Sequence, residues 1–316
     1  MNIMTQNLLR TPTALKALLQ DTQFKKVAQQ ITSVSELHFI GTGSSNHASH
    51  GAQSFLSAHL EFPVYVHRPT EHFEVQEHGV LIFVSQTGTS FNVLKCLQEF
   101  PNHTKFAVSQ NADAAIPLAC DYTLDLGIGN EDCNAKTVGV SATFLSLVLF
   151  GLNLSKKDQQ HNFEVLQDQV NEIEQTIQDS LDLAQTIDGK AFDHMFILTS
   201  PSLRSVGAEA ALKYLEVALQ PAVYCDVDEF SHGYTRMINS KSLILYLAQE
   251  SSSYDDQLNQ LVEESKATMC KLQPTSGVMA GLAFVHGIIS IIADQMAIDP
   301  NQPIYAWFND AVQTRV

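Results

Sequence analysis

Three stretches of this 316-residue chain hold side chains whose types and spacing could do chemistry. The first runs Ser85, Gln86, Thr87, Gly88, Thr89, Ser90: five of the six carry a hydroxyl or an amide, and the other is glycine. An apolar run, Leu81 to Val84, leads into it, and Phe91, Val93, Leu94 and Leu97 follow at helical spacing. The polar segment therefore lies between the carboxyl end of a strand and the amino end of a helix, where backbone N–H groups have no intrahelical acceptor. An oxyanion placed there gains those N–H groups, the positive end of the helix dipole and the hydroxyls. A helix cap alone uses one or two such residues, so five favour an anion site over a simple cap.

In the second stretch, Glu209, Lys213, Glu216 and Gln220 interrupt an otherwise apolar helical segment, Pro201 to Gln220, at spacings of four, three and four. Those intervals put all four on one face. Two readings stand side by side: a solvent-facing stripe laced by Glu209–Lys213 pairing, or the polar wall of a pocket. The third stretch, Asp226 to Met237 (DVDEFSHGYTRM), is dense in titratable groups and broken by Gly233. Taken alone, His232 within it reads as a surface histidine. His47 and His50 stand at i, i+3 without the further ligands that a zinc site needs, so no metal site is expected.

The elements that must position these groups alternate between strand and helix patterns. Strands are predicted at Glu36 to Ile40, Val64 to His67, Leu81 to Val84, Phe106 to Val108 and Tyr122 to Leu126, with helical segments between most of them. The pattern implies an α/β fold with parallel sheets flanked by helices, and ligands in such sheets sit beyond the carboxyl ends of the strands. Glu36 to Ile40 runs into Gly41, Thr42, Gly43, Ser44, Ser45 and Asn46, a second polar loop before a helix, directed at the same place as the first. Val138 to Leu152 reads as an apolar helix, and residues 155 to 190 as a long helix with Val165, Val170, Ile173 and Ile177 in phase. Phe196 to Ser200 with the residues after it resembles Phe39 to Ser45 with theirs at a shift of about 157 residues, which suggests a duplicated domain. The expected organisation is a helical segment over 1–25, a phosphate-binding domain over 26–154, a connecting helix over 155–188, and a second domain over 189–316. In that second copy the polar loop has become AQESSS, and Glu250 would repel an anion, so one anion site is expected.

A net charge of −16 argues against nucleic acid or an anionic membrane surface as partner. Five cysteines, widely spaced and without a CxxC pair, fit neither a disulfide framework nor a structural zinc site, and they point to a reducing, cytoplasmic location. Ser276 to Ala293 has no charged residue, but its glycines, serine and His286 favour a buried helix over a membrane span.

Taken together, the residues resemble the sugar isomerase (SIS) domain family in its double-domain form, the architecture of the isomerase half of glucosamine-6-phosphate synthase and its shorter relatives. SQTGTS is similar to the family's SQSGxT/S phosphate loop, and GAEAALKYLE followed by DEFSHGY is similar to EGALKLKE followed by GELKHGP. Glu216 and His232 are 16 positions apart, as the family's catalytic glutamate and histidine are. The resemblance runs over almost the whole chain. It implies two tandem SIS domains, each a flavodoxin-like three-layer sandwich. It makes Ser45, Ser85, Gln86, Thr87 and Ser90 the phosphate ligands, with Gly43, Ser44, Glu131 and Ala135 also at the substrate.

The resemblance further makes Glu216 the acid/base at C1 and C2 of an open-chain sugar, beside Lys213 and Glu209 on the same helix. His232 becomes the group that opens the ring, contributed by the neighbouring subunit of a homodimer. No cofactor or metal is implied. The expected activity is that of a phosphosugar isomerase on a 6-phosphorylated sugar or amino-sugar derivative, with amine release as a variant. A fructosamine- or glucoselysine-type 6-phosphate deglycase and a non-catalytic sugar-phosphate sensor are the alternatives. The sequence departs from the synthase pattern at Lys136, where the substrate loop commonly has serine, and at Asp310, which falls where the synthase has a tail lysine. With no cysteine at position 2 either, glutamine-dependent synthesis of glucosamine 6-phosphate is not expected.

Overall fold

The computed structural model describes residues 1–302 and 305; Asp310 lies outside them. Three helices open the chain, α1 (Ile3–Leu8), α2 (Thr11–Gln20) and α3 (Gln23–Ala28), where the pattern suggests one. Pro12 explains the break: it fits the first turn of a new helix but cannot donate its backbone nitrogen to a continuing one. Then follow β1 (Glu36–Gly41), α4 (Ser44–Leu56), β2 (Val64–His67), β3 (Gly79–Val84), α5 (Phe91–Leu97), β4 (Lys105–Ser109), α6 (Ala115–Leu118), β5 (Tyr122–Asp125) and α7 (Val138–Leu154). The long α8 (Gln160–Gln185) leads to β6 (His194–Thr199), α9 (Arg204–Ala218), β7 (Ala222–Asp226), β8 (Ser242–Leu247), α10 (Asp255–Ser265), β9 (Thr268–Leu272) and α11 (Val278–Met296). The sequence reading finds neither β7 nor β9.

The chain divides into two compact units. The described part of the first comprises Thr11–Asp132 and Val138–Asp168 with Gln302 and Tyr305; the second comprises Met1–Arg10, Cys133–Thr137 and Gln169–Asn301. In the first, five strands pair in the order β2-β1-β3-β4-β5, all parallel. Val64, Leu37, Ile82 and Phe106 belong to buried strand interiors, as parallel sheets covered on both faces require. On one side α2, α3 and α4 pack on α7, whose residues are all buried but Asn153, so its apolar circumference reflects full enclosure. On the other side Ile40, Leu81, Phe83 and Ala107 form a core with Val93, Cys96, Leu97 and Ile116.

The second unit repeats the plan with one strand fewer: β7-β6-β8-β9, again all parallel. The first two strand pairs, β1/β6 and β2/β7, start 158 residues apart, and the next two, β3/β8 and β4/β9, start 163 apart. The same strand order with a nearly constant offset is what a duplicated domain produces. Helix α11 is long and apolar enough to cross a membrane, yet most of it is buried, and it packs on α9 as a core helix. Gly287 permits a close crossing with α8, since a Cβ there would lie 1.8 Å from Ser180 Oγ. In α8 the buried line is Leu166, Val170, Ile173, Ile177, Leu181 and Ala184; Leu166 takes the place that the sequence pattern gives to Val165, which is only half-buried.

Candidate active site

Strand order decides where a ligand can sit in the first unit. From β1 the chain crosses to β2 on one side and returns to β3 on the other, so the connections diverge between β1 and β3. Such a switch point opens a crevice at the carboxyl ends of the two strands. Gly41 and Val84, the last residues of β1 and β3, are register partners, so the loops that follow them emerge side by side. These are the loops carrying Gly43, Ser44 and Ser45, and Ser85 to Ser90.

Their local geometry suits an anion. After β1, Gly43 turns the chain with φ +54° and ψ −131° into α4, which has no side chain capping its amino end. Ser44 and Ser45 form its first turn, both half-buried. After β3, Ser85 N–H still bonds Val108, and Gly88, at φ +72°, closes a turn by donating to Ser85 O at 3.0 Å. Gly88 O accepts from Ile116 N–H at 2.9 Å and Gln86 O from Gln110 N–H at 2.9 Å, so the segment that follows β4 clamps the turn. Ser90 occupies the cap position of α5 in an extended conformation; its carbonyl accepts from Leu94 N–H at 3.0 Å, but its hydroxyl makes no cap bond to the helix. Among the described residues, the backbone N–H groups of Thr87, Thr89, Ser90, Phe91 and Asn92 have no protein acceptor. The Thr87 and Thr89 hydroxyls lie 3.0 Å apart, the only side-chain bond either makes among the described residues.

Gln86 is different. Its amide nitrogen donates to Glu131 Oε2 at 2.7 Å and to Gln110 Oε1 at 3.0 Å. Glu131 is buried and also accepts from Gly139 N–H, at 3.1 Å, in the first turn of α7, where a carboxylate complements the helix dipole. Gly139 has to be glycine for this to fit: a Cβ would meet the Gln86 amide at 2.2 Å. The Gln86 side chain and Glu131 thus form a brace behind the loop, leaving Gln86 its backbone N–H for a ligand. Ala135 is fully buried and Lys136 half-buried in the segment that follows. Asn134 in that segment is tied down by its N–H, which donates to Asn301 Oδ1 at 2.7 Å.

In the second unit, the polar line on α9 resolves in favour of the interior. Glu209 is completely buried, Lys213 is 1% exposed and Glu216 33%. Lys213 Nζ donates to Glu216 Oε2 at 2.6 Å and stands 3.4 Å from Glu209 Oε1. The fourth polar position, Gln220, accepts from Tyr214 Oη at 2.7 Å and closes off the helix end. Burial works against the Lys213 charge, but the two carboxylates outweigh it and hold the amine above the ordinary lysine range. Burial pushes the Glu216 carboxyl above the ordinary glutamate range, against the pull of Lys213. Glu216 is therefore a base of raised basicity with one end open, backed by a buried cation.

His286 completes the network and escapes sequence reading, because it stands as an isolated polar residue in the apolar α11. It is fully buried, with Nε2 3.7 Å from Glu209 Oε1. His232, by contrast, is exposed. Its backbone N–H donates to Glu229 O at 2.9 Å, and its side chain makes no bond among the described residues. The loop bearing it is pinned at its start, where Arg204 holds the buried Asp226 through two bonds of 2.9 Å from Nε and a further contact from Nη2, and at Phe230, which is buried among Phe196 and Tyr246. The polar loop after β8 carries Glu250 and is internally engaged, with Ser202 Oγ donating to Gln249 Oε1 at 2.6 Å and Gln273 to Glu250 O at 2.6 Å. Among the described residues no group of three His, Cys, Asp or Glu side chains could hold a metal ion.

No family model matches the chain. Its sequence is similar to glutamine–fructose-6-phosphate aminotransferases of the isomerizing type. It is 26% identical over 262 residues to that of Chlamydia trachomatis, which is 77% of this chain and 43% of the relative. With isoform 2 of Homo sapiens it is 24% identical over 234 residues, 69% of this chain and 34% of the relative. The match thus spans less than half the length of these relatives. Among solved structures, a candidate phosphosugar isomerase from Clostridium difficile superposes with a TM-score of 0.85 at 22% identity, covering 98% of this chain and 97% of the other. The C-terminal domain of the Francisella tularensis glucosamine–fructose-6-phosphate aminotransferase gives 0.81 at 15% identity, over 96% and 98%. Glucosamine-6-phosphate deaminase from Thermotoga maritima gives 0.78 at 20%, again over 96% and 98%. The chain has the fold of the phosphosugar isomerases.

Proposed function

We propose that the chain is an enzyme of the phosphosugar isomerase type, acting on a 6-phosphorylated sugar or amino-sugar derivative through enediol or enaminol chemistry. The observation that carries this reading is the interior placement of the α9 line, with Glu216 raised in basicity by burial and held by the buried Lys213. Proton transfer between adjacent carbons needs one base that takes a proton from C1 or C2 and returns it to the other. A carboxylate tuned upward suits that work near neutral pH. Lys213 keeps its charge behind it and offsets the negative charge that develops on the enediol oxygens. The free N–H groups of Thr87 and Ser90 and the hydroxyls of Ser45, Ser85, Thr87 and Ser90, with the backbone N–H of Gln86, supply the phosphate anchor, so that binding energy of the remote group orients the reacting carbons.

In the same reading His232 assists ring opening from the partner subunit of a homodimer, which accounts for an exposed histidine on a pinned loop. Amine release, as deaminase or deglycase, is the nitrogen-bearing version of the same proton transfer, and the similarity in fold to glucosamine-6-phosphate deaminase favours testing it beside isomerisation.

A proton NMR time course in heavy water tests the proposal, with fructose 6-phosphate, glucosamine 6-phosphate and a fructosamine 6-phosphate in parallel. Exchange at C1 with appearance of an aldose phosphate establishes isomerase chemistry, and free amine from a nitrogen-bearing substrate alone establishes a deaminase or deglycase. Glu216→Gln abolishes either while phosphate ligands still bind. Silence in all tubes with phosphate-dependent thermal stabilisation overturns catalysis in favour of a sensor.

A further inference from the structure

A cavity of about 420 Å³ opens at the β1–β2 edge of the first unit, against residues 74–76, and its walls include Glu36, His38, Tyr65, His67 and Glu74. Its volume falls within the range of small-molecule sites. None of these residues belongs to the polar loops that follow β1 and β3.

Glu36, His38 and His67 form a line. His38 Nε2 lies 3.0 Å from Glu36 Oε1, and His38 Nδ1 lies 3.0 Å from His67 Nε2. Glu36 is itself fixed by the Gln76 N–H at 2.6 Å. The Glu36–His38 contact is close without being aligned as a hydrogen bond, so attraction between carboxylate and N–H dipole sets the tautomer. An ionised carboxylate only accepts, which puts the proton of a neutral His38 on Nε2 and a lone pair on Nδ1. The bond to His67 then requires the proton on His67 Nε2, leaving the lone pair of His67 on Nδ1.

Both rings favour the neutral form. Burial lowers His38 against the opposing effect of Glu36, and burial with the neighbouring His38 pushes His67 down to about 4. The ring of His67 is also held flat on Phe73, with centroids 3.8 Å apart and planes 6° apart. The result is a rigid, polarised acceptor: His67 Nδ1 has no protein partner among the described residues.

Glu74 is likewise without a hydrogen bond or ion pair, and no lysine or arginine lines the cavity. Two carboxylates and two neutral imidazoles give the space a negative potential, which rejects anions and favours cations. A metal ion is not the fit, since three ligating side chains do not converge here. Tyr65, 40% exposed, adds an aromatic face of the kind that attracts organic cations.

We propose that this cavity is a binding site for a small organic ammonium ion, whose N–H groups donate to His67 Nδ1 and the Glu74 carboxylate while its charge faces the Tyr65 ring. The site is independent of the reaction proposed above.

Isothermal titration of the full chain near neutral pH tests it, with methylammonium and 1,4-diaminobutane as probes, butanedioate as the anionic control, and ionic strength matched with sodium chloride. Saturable binding of at least one amine, none of butanedioate, and at least tenfold weaker binding in Glu74→Gln and His67→Phe are expected. Long-range proton–nitrogen NMR shows His67 as the Nε2–H tautomer, with its Nδ1 resonance moving on titration. Glu74 is exposed, so Glu74→Gln keeps the wild-type melting temperature and decides the matter even if His67→Phe fails to fold. Absence of saturable heat with both amines, or an affinity untouched by Glu74→Gln, overturns the site.

Discussion

Replacing Lys213 by methionine separates the two parts Lys213 plays, as a structural cation and as a partner of the proposed base. The ammonium is 1% exposed and lies 3.4 Å from the fully buried Glu209 and 2.6 Å from Glu216. Methionine keeps most of the side-chain volume, so little cavity is created and the change is mainly electrostatic. Removing one partner of a buried ion pair costs about 3–5 kcal/mol, because the remaining charge stays desolvated. Proton uptake limits that loss. With one positive charge gone, the folded variant near neutral pH is expected to bind one more proton than its unfolded chain, and the stability gap to wild type then changes by about 1.4 kcal/mol per pH unit.

The sign follows from the acid that takes the proton. A carboxyl raised in the folded state favours folding at pH values below its unfolded pKa, and that advantage is lost as the pH rises towards the folded value. The deficit of Lys213→Met should therefore be about 3–4 kcal/mol at pH 7 and about 1 kcal/mol at pH 5, while the Lys213 contribution to wild type persists until the pH rises through the raised lysine range. Urea unfolding at pH 5, 6 and 7 measures it. A variant as stable as wild type at pH 7, or a deficit that does not shrink with acidification, would refute the view that Lys213 is held by buried carboxylates.

Three further outcomes are expected. Because burial raises Glu216 and a base must be ionised to act, the acidic limb of the rate profile should lie above the ordinary glutamate range, activity falling as the pH drops through it; stopped-assay profiles of kcat/KM check this. Gly139→Ala should drive the Gln86 amide from its place, costing about 1–3 kcal/mol of stability and weakening inorganic phosphate binding together, whereas a Ser90→Ala change should weaken phosphate binding with no loss beyond about 0.5 kcal/mol; thermal unfolding with and without phosphate separates the two. Burial pushes the thiols of Cys96, Cys225 and Cys270 up to about 11 and that of Cys120 to about 12, so these four should react slowly with a disulfide reagent at pH 8 in the native protein and fast in urea.

Much of the architecture was legible in the chain. Parallel strands buried on both faces need continuous apolar runs, and β1, β3, β4, β6 and β8 announce themselves by those runs; the loop after β3 stands out because five hydroxyl or amide residues in six have no use in a core, and the loop after β1 because Thr42, Ser44, Ser45 and Asn46 have none either. The strands left unread, β7 and β9, are edge strands, half-exposed and carrying Asp226, Lys271 and Tyr224, which dilutes any apolar signal.

Spacing alone placed Glu209, Lys213 and Glu216 on one face, but whether that face met solvent or protein depended on α11, some 70 residues later, packing against it. His286 and Glu209 meet by that crossing and by nothing in their local sequence. The same reason governs Gln86, which reads as one more ligand in a polar loop until Glu131 and Gly139 are brought behind it. It governs the Glu36–His38–His67 line as well, since the pairing of β1 with β2 sets histidines 29 positions apart at 3.0 Å. Side-chain types and periodicity are local properties that the chain carries with it, whereas which polar group is buried, and against what partner, is decided only when distant segments close over it.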